Sequence, residues 1–161
     1  MDAPSLPAAD LYINRELSML EFNKRVLALA QDPDVPLLER LRFLCITCTN
    51  LDEFFEIRVA ALKQRMEIGA LAQGPEMLPA QQVFDVLRHQ MLSIVGQQYE
   101  LLNNVMFPQL ASAGVRFVRS EDWSGEQQQW LSEYFDEQVV PVLTPLTFDP
   151  SRPFPRILNK S

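Results

Sequence analysis

The chain has 161 residues, 47% of them hydrophobic and 22% charged, enough for one ordinary domain, or for one domain and the start of another, and too apolar for disorder. Its net charge of -7 argues against a nucleic-acid partner, and Ser120 to Ser151 carries seven acids (Glu121, Asp122, Glu126, Glu133, Asp136, Glu137, Asp149) with no Lys or Arg, so contact with any polyanion has to lie elsewhere. No apolar run reaches membrane-spanning length, and the acidic start MDAPSLPAAD is unlike a signal peptide, which makes the cytoplasm the expected location and a transmembrane segment unexpected.

Residues 1–10, with two prolines and little pattern, read as a flexible arm. In LSMLEF, Ser18 and Glu21 have capping-box spacing and Leu17 and Phe22 staple spacing, so a helix is expected from Ser18 with Met19, Phe22, Val26 and Leu29, joined by Leu20 and Leu27, on a wide buried face. It should stop before DPDVP, where two prolines remove backbone donors. Leu37, Leu41, Leu44, Cys48, Leu51, Phe55, Val59, Leu62 and Met66 then recur at three and four, the mark of one long helix. Gly69, Gly74, Pro75 and Pro79 form a connection, and a third helix follows from about Ala80 to Leu110, with Phe84, Leu87, Met91, Ile94, Leu101 and Val105 on one face and Gln98 interrupting it. Three long helices with short connections pack most simply as an antiparallel bundle.

Beyond Gly114 the pattern changes. Val115 to Val118 (VRFV) reads as a short strand, Ser124 with Glu126 and Gln127 opens a fourth helix bearing Trp130, Leu131, Tyr134 and Phe135, and the proline-rich LTPLTFDPSRPFPRI is not helical. The expected architecture is mainly α: a helical domain at 11–112, then at 113–161 the beginning of a second, truncated domain.

Several chemistries lack their residues. Cys45 and Cys48, with a single histidine in the chain, cannot complete a zinc site, and a thioredoxin-like motif would need a βαβ context. There is no phosphate-binding GK[ST] loop and no recognisable Ser, His, Asp arrangement. Asp52, Glu53 and Glu56 read as a solvated helix face before a metal site, and Arg40, Arg42, Arg58, Lys63 and Arg65 as a basic cluster serving solubility before ligand steering.

Thr49 and Asn50 stand out because both favour caps and turns yet fall inside the longest helix. Asn50 with Glu53 could cap a new helix, but the unbroken spacing from Cys48 through Leu51 to Phe55 favours continuity or a kink. The Asn50 carboxamide is then either solvated and locally bonded, or used by something outside the helix; its paired donor and acceptor would match an adenine edge.

YINRELSMLEFNKRVLALAQDPDVPLLERLRFLCITCTNLDEFFEIRVAALK, Tyr12 to Lys63, resembles the N-terminal domain of the bacterial polyphosphate kinases, in NRELS, EFNKRVL, PLLERLRFL and NLDEFFEIRVA, and LTPLTFDPSRPFPRI is similar to the beginning of that family's head domain. The resemblance implies reversible transfer of the terminal phosphate of ATP to inorganic polyphosphate, with Mg2+ and a phosphorylated histidine. It implies that this part forms the adenine-facing wall of the ATP site, with Asn50 as the adenine contact. Met19 departs from the family, which carries Trp there. The catalytic histidine and the Mg2+ residues belong to later domains of the family, and His89 matches none of them, so this stretch alone should be inactive. The partners so implied are ATP or ADP, polyphosphate, the remaining domains of the enzyme and further copies of the full-length chain, with a location in the cytoplasm or peripheral to the inner membrane. The competing expectation is a non-catalytic helical interaction module, with Trp123, Trp130, Phe148 and Phe154 as its surface.

Overall fold

The computed structural model describes residues 12–69, 78–145, 151, 153, 154 and 157. The arm expected at 1–10, most of the connection between the second and third long helices, and most of the proline-rich tail lie outside the described residues. The rest divides into two compact units at the Phe117/Val118 junction.

In the first unit, α1 (Arg15–Gln31) starts earlier than LSMLEF suggests. The Asn14 side chain accepts from the backbone N–H groups of Glu16 and Leu17, at 3.0 and 3.1 Å. It satisfies the orphan donors of the first turn and leaves Ser18 inside the helix, so the expected capping box at Ser18 is not the start. Of the wide face expected, Leu20 and Leu27 are buried and Val26 is half-buried, whereas Met19, Phe22 and Leu29 are exposed. Leu20, Asn23, Leu27 and Ala30 face the core, and the polar member, Asn23, is what a hydrophobic pattern leaves out of this stripe.

A turn at Asp32, whose carboxylate accepts from Asp34 N–H at 2.9 Å, leads to α2 (Leu37–Glu53), a π-helical stretch (Phe54–Val59) and α3 (Ala60–Glu67), one continuous helical run. Its buried residues are Arg40, Leu44, Thr47, Leu51, Phe54, Val59 and Leu62. Cys48 and Phe55, expected on the stripe, are exposed. The spacing of three and four breaks between Phe54 and Val59, where the wider π turn inserts a residue and carries the core face onto Val59.

The same device recurs in α4 (Ala80–Leu101), which passes through a π stretch (Leu102–Met106) into α5 (Phe107–Ser112). The core face runs Leu87, Met91, Ile94, Gln98 and Leu101, then jumps to Met106 and Leu110. Pro108 accounts for the position of this stretch: it has no N–H for the carbonyl of Asn104, and the wider turn just before it absorbs the missing bond. The helix closes with Gly114 at φ +87. Gly114 N–H donates to Ala111 O at 3.1 Å and Val115 N–H to Leu110 O at 2.8 Å, the paired bonds of a Schellman ending. Val115 is thus spent on a helix cap, and the strand expected at 115–118 is not formed there; Phe117 instead packs on Phe107, ring centroids 5.1 Å apart.

α1 packs on α2 and on α4, and α3 packs on α4. The partners across the first interface run in opposite order: Ala30 meets Arg40, and Asn23 meets Thr47 and Asn50, so α1 and α2 are antiparallel, as expected. Leu20, Leu27, Leu44, Leu51, Leu87, Ile94 and Met106 form one core with their neighbours, each contributing about 1.5–3 kcal/mol on burial. Arg40 is only 6% exposed. Its Nε donates to the Ala30 carbonyl at 2.9 Å and its Nη1 to Gln109 Oε1 at 3.0 Å, so one guanidinium fills an orphan carbonyl at the end of α1 and ties it to α5.

In the second unit, α6 (Gly125–Tyr134) begins where expected, with a full capping box between Ser124 and Gln127 at 3.2 and 2.9 Å. Trp130 stacks on Tyr134, centroids 5.3 Å apart, and none of the described residues of this unit is buried.

The Arg40 bonds generate a stability prediction. Arg40→Met keeps the apolar stem and removes both bonds, which should lower stability by about 1.5–3 kcal/mol in urea unfolding followed by helical circular dichroism. An unchanged midpoint would show that the guanidinium does not hold the helix ends together.

Candidate functional site

Thr49 and Asn50 have separate fates. Thr49 is exposed and bonds back along its own helix, Oγ1 to the Cys45 carbonyl at 3.1 Å. Asn50 is half-buried and faces α1, where its Nδ2 donates to Asn23 Oδ1 at 3.2 Å. Asn23, 3% exposed, in turn donates its own Nδ2 to the Thr47 carbonyl at 3.2 Å.

This chain of bonds has a direction fixed by chemistry. A backbone carbonyl can only accept, so Asn23 must present its NH2 to Thr47. Its oxygen then faces Asn50, and Asn50 must answer with its NH2. The side-chain oxygen of Asn50, Oδ1, makes no hydrogen bond among the described residues and is not one of the buried unpaired atoms, so it is open to water.

It opens beside a cleft of about 180 Å³ between α1 and the α2–α3 run. Met19, Phe22, Phe54 and Ile57 form the apolar walls, Asn23 and Asn50 part of the floor, and Glu53 and Arg58 the charged members. Sites that enclose a whole small ligand run to roughly 300–1,000 Å³; this one has room for a single ring system. The π stretch helps shape it, because Val59 turns to the core while Ile57 and Arg58 remain beside Asn50 and Phe54. Met19 and Phe22 thus wall the cleft from positions assigned to the core by their spacing.

Other sequence candidates disperse. Of the basic residues, Arg40 is buried in the bundle, Arg42 pairs with Glu39 at 3.6 Å on the surface, and Arg58 alone lines the cleft. Among the described residues no three carboxylate, His or Cys side chains converge where a cation could be held, so they do not fit a Mg2+ site. His89 is exposed on α4. No helix among the described residues is long and apolar enough to cross a membrane.

Comparison with known proteins agrees with the motifs. Residues 12–118 match the family model described as polyphosphate kinase N-terminal domain, and residues 126–161 the polyphosphate kinase middle domain. The chain is 48% identical over 159 residues to a polyphosphate kinase of Neisseria meningitidis serogroup A, covering 97% of this chain and 23% of that protein. With a polyphosphate kinase of Xylella fastidiosa it shares 50% identity over 151 residues, covering 94% of this chain and 22% of the relative. Its fold is similar to the crystal structure of the polyphosphate kinase from Porphyromonas gingivalis, with a TM-score of 0.72 at 26% identity, over 94% of this chain and 21% of that one. The chain therefore spans less than a quarter of the length of these relatives.

On the far side of α2 from the cleft, Cys45 and Cys48 are free and exposed. Cys48 borders a groove with Leu44, Leu51, Asp52, Phe55 and Gln98. Partial burial, then Cys45, then the Asp52 carboxylate push its thiol above its ordinary value. Only the thiolate attacks an alkylating agent, so iodoacetamide modification of Cys48, read by mass spectrometry, should reach half its maximal rate above about pH 8.5, the usual thiol midpoint. A midpoint at or below that value would contradict the burial.

Proposed function

This chain belongs to the polyphosphate kinase family, and from that membership we propose that it works as part of an enzyme transferring the terminal phosphate of ATP reversibly to inorganic polyphosphate through a phosphohistidine, supplying the adenine-facing wall of the ATP site. The observation that carries the reading is the Asn50 carboxamide, anchored by Asn23 and open on its oxygen side to an apolar slot the size of one ring system. A purine fits that chemistry, its faces against Phe22, Phe54, Met19 and Ile57 and its polar edge toward Asn50.

Residues 11–112 serve in this reading as the helical N-terminal domain and 113–161 as the beginning of the next, a division supported by the compact break at Phe117/Val118. Histidine phosphorylation falls to the later domains of the family, because His89, exposed on α4 and outside the cleft lining, matches none of that family's catalytic positions. Phosphoryl transfer rests mainly on positioning and charge stabilisation, so a wall that holds the base can affect the rate while doing no chemistry. Residues 1–161 alone are accordingly inactive, and the enzyme acts in the cytoplasm on ATP or ADP and polyphosphate, as a homo-oligomer.

The alternative, an interaction module, draws on Trp123, Trp130 and Phe154, which are exposed, while Phe148 lies outside the described residues. The same exposure is expected of a domain that in the relatives of this chain continues over a much longer polypeptide, so it does not favour a separate function.

Asn50→Ala in the full polypeptide should weaken ATP binding roughly five- to tenfold, the worth of about 1–1.4 kcal/mol, with helical content unchanged by circular dichroism. Equal ATP affinity and turnover in wild type and variant would remove Asn50 from the base contact.

A further inference from the structure

We infer that Asn23, beside Asn50 on the cleft floor, acts as a positioning residue that sets the base preference of the cleft by locking the Asn50 amide with its nitrogen inward and its oxygen outward. The inference rests on the proposed base contact at Asn50 and adds a second residue and a direction of selectivity. A free asparagine side chain can rotate half a turn at little cost and present either a donor or an acceptor, and so reads no difference between a 6-aminopurine and a 6-oxopurine. Asn50 lacks that freedom. Turning it over would set its oxygen against Asn23 Oδ1, and Asn23 cannot turn to compensate without setting its own oxygen against the Thr47 carbonyl.

Each alternative places two acceptors face to face in a site where Asn23 is 3% exposed, away from the water that would relieve the repulsion. The polarity of a backbone carbonyl is thus relayed through two side chains to the cleft. What arrives there is an acceptor, suited to the amino hydrogens of a 6-aminopurine and opposed to the oxygen of a 6-oxopurine. Rejection is strongest when a buried polar group would be left facing its like.

The test compares ATP with ITP, which differ at that position, in the full polypeptide. Wild type should show a kcat/KM ratio for ATP over ITP of about tenfold or more. Asn23→Leu removes both bonds, frees the Asn50 amide to turn and should bring the ratio to within about threefold, mostly through gain toward ITP.

Asn23→Asp supplies the control. Whether ionised or protonated, an Asp side chain still offers Asn50 an oxygen, so this variant should keep the wild-type ratio even where its melting temperature falls. A purely structural role for Asn23 would change activity toward both nucleotides together and leave all three ratios alike, which overturns the inference. So does a wild type that uses ITP as well as ATP, or an Asn23→Asp ratio that collapses; neither result requires Asn23→Leu to fold. Asn50→Ala measured alongside separates the two readings. If it leaves ATP affinity intact the base contact itself fails, whereas lost affinity with an unaltered Asn23→Leu ratio removes only the relay.

Discussion

The buried carboxamide of Asn23 is the constraint on which the first unit turns. A polar group placed on the core face of α1 must find its partners inside the protein or cost about 1–3 kcal/mol, and it finds them at Thr47 and Asn50, both on α2. Apolar packing between two helices tolerates a slide of one turn; a donor and an acceptor that must meet specific atoms do not. Together with Arg40 on the Ala30 carbonyl at the other end of the interface, Asn23 sets the register of the antiparallel pair, and the register sets the cleft that Met19 and Phe22 wall from one side and Phe54 and Ile57 from the other.

The helices were legible because their apolar residues recur at helical spacing, and the break at DPDVP because proline cannot donate. Which residues of each helix face inward was less legible. In α1 the true stripe passes through Asn23 and in α2 through Arg40 and Thr47, whereas in α4 it passes through Gln98, which the spacing already places on that face. A hydrophobic pattern discards polar residues, so in α1 it caught Leu20 and Leu27 but added Met19, Phe22 and Leu29, and in α2 it stayed on Cys48 and Phe55. Neither π stretch announces itself by composition, although Pro108 marks the place where the second is needed. The strand expected at Val115–Val118 fails for a different reason. Its first residue is committed to closing the helix after Gly114, and a strand requires a neighbour to satisfy its backbone.

Asn50 could be singled out because it offends helix propensity in the middle of a helix, and the family motif then gave the offence a meaning. Asn23 gave no such signal. An isolated asparagine on a helix reads as solvent-facing, and its partners stand 24 and 27 residues away in the chain. The usable clue was available only in combination: two asparagines on adjacent antiparallel helices, each at the position a continued apolar stripe would occupy or touch. Thr49, which shares the anomaly of Asn50, turns out to answer it locally through the Cys45 carbonyl, so proximity to a motif did not make it part of the site.

The charge balance limits what this wall can contribute to a nucleotide. Among the described residues the cleft lining carries one cation, Arg58, beside one anion, Glu53, with Arg25 over the Phe22 ring at 5.8 Å from its centroid, in a chain of net charge -7. A triphosphate brought to such a surface gains little Coulombic attraction, and screening at physiological salt reduces even that beyond about 8 Å. On the proposed reading, the apolar slot and the Asn50 oxygen act on the uncharged end of the molecule alone. In that reading this unit therefore adds selection more than affinity. The energy that holds the phosphates comes from residues elsewhere in the enzyme, and the base contact decides which nucleotide that energy is spent on. A wall of this kind is useful only while the Asn50 amide keeps one orientation, because an amide free to turn would lend the same support to either purine.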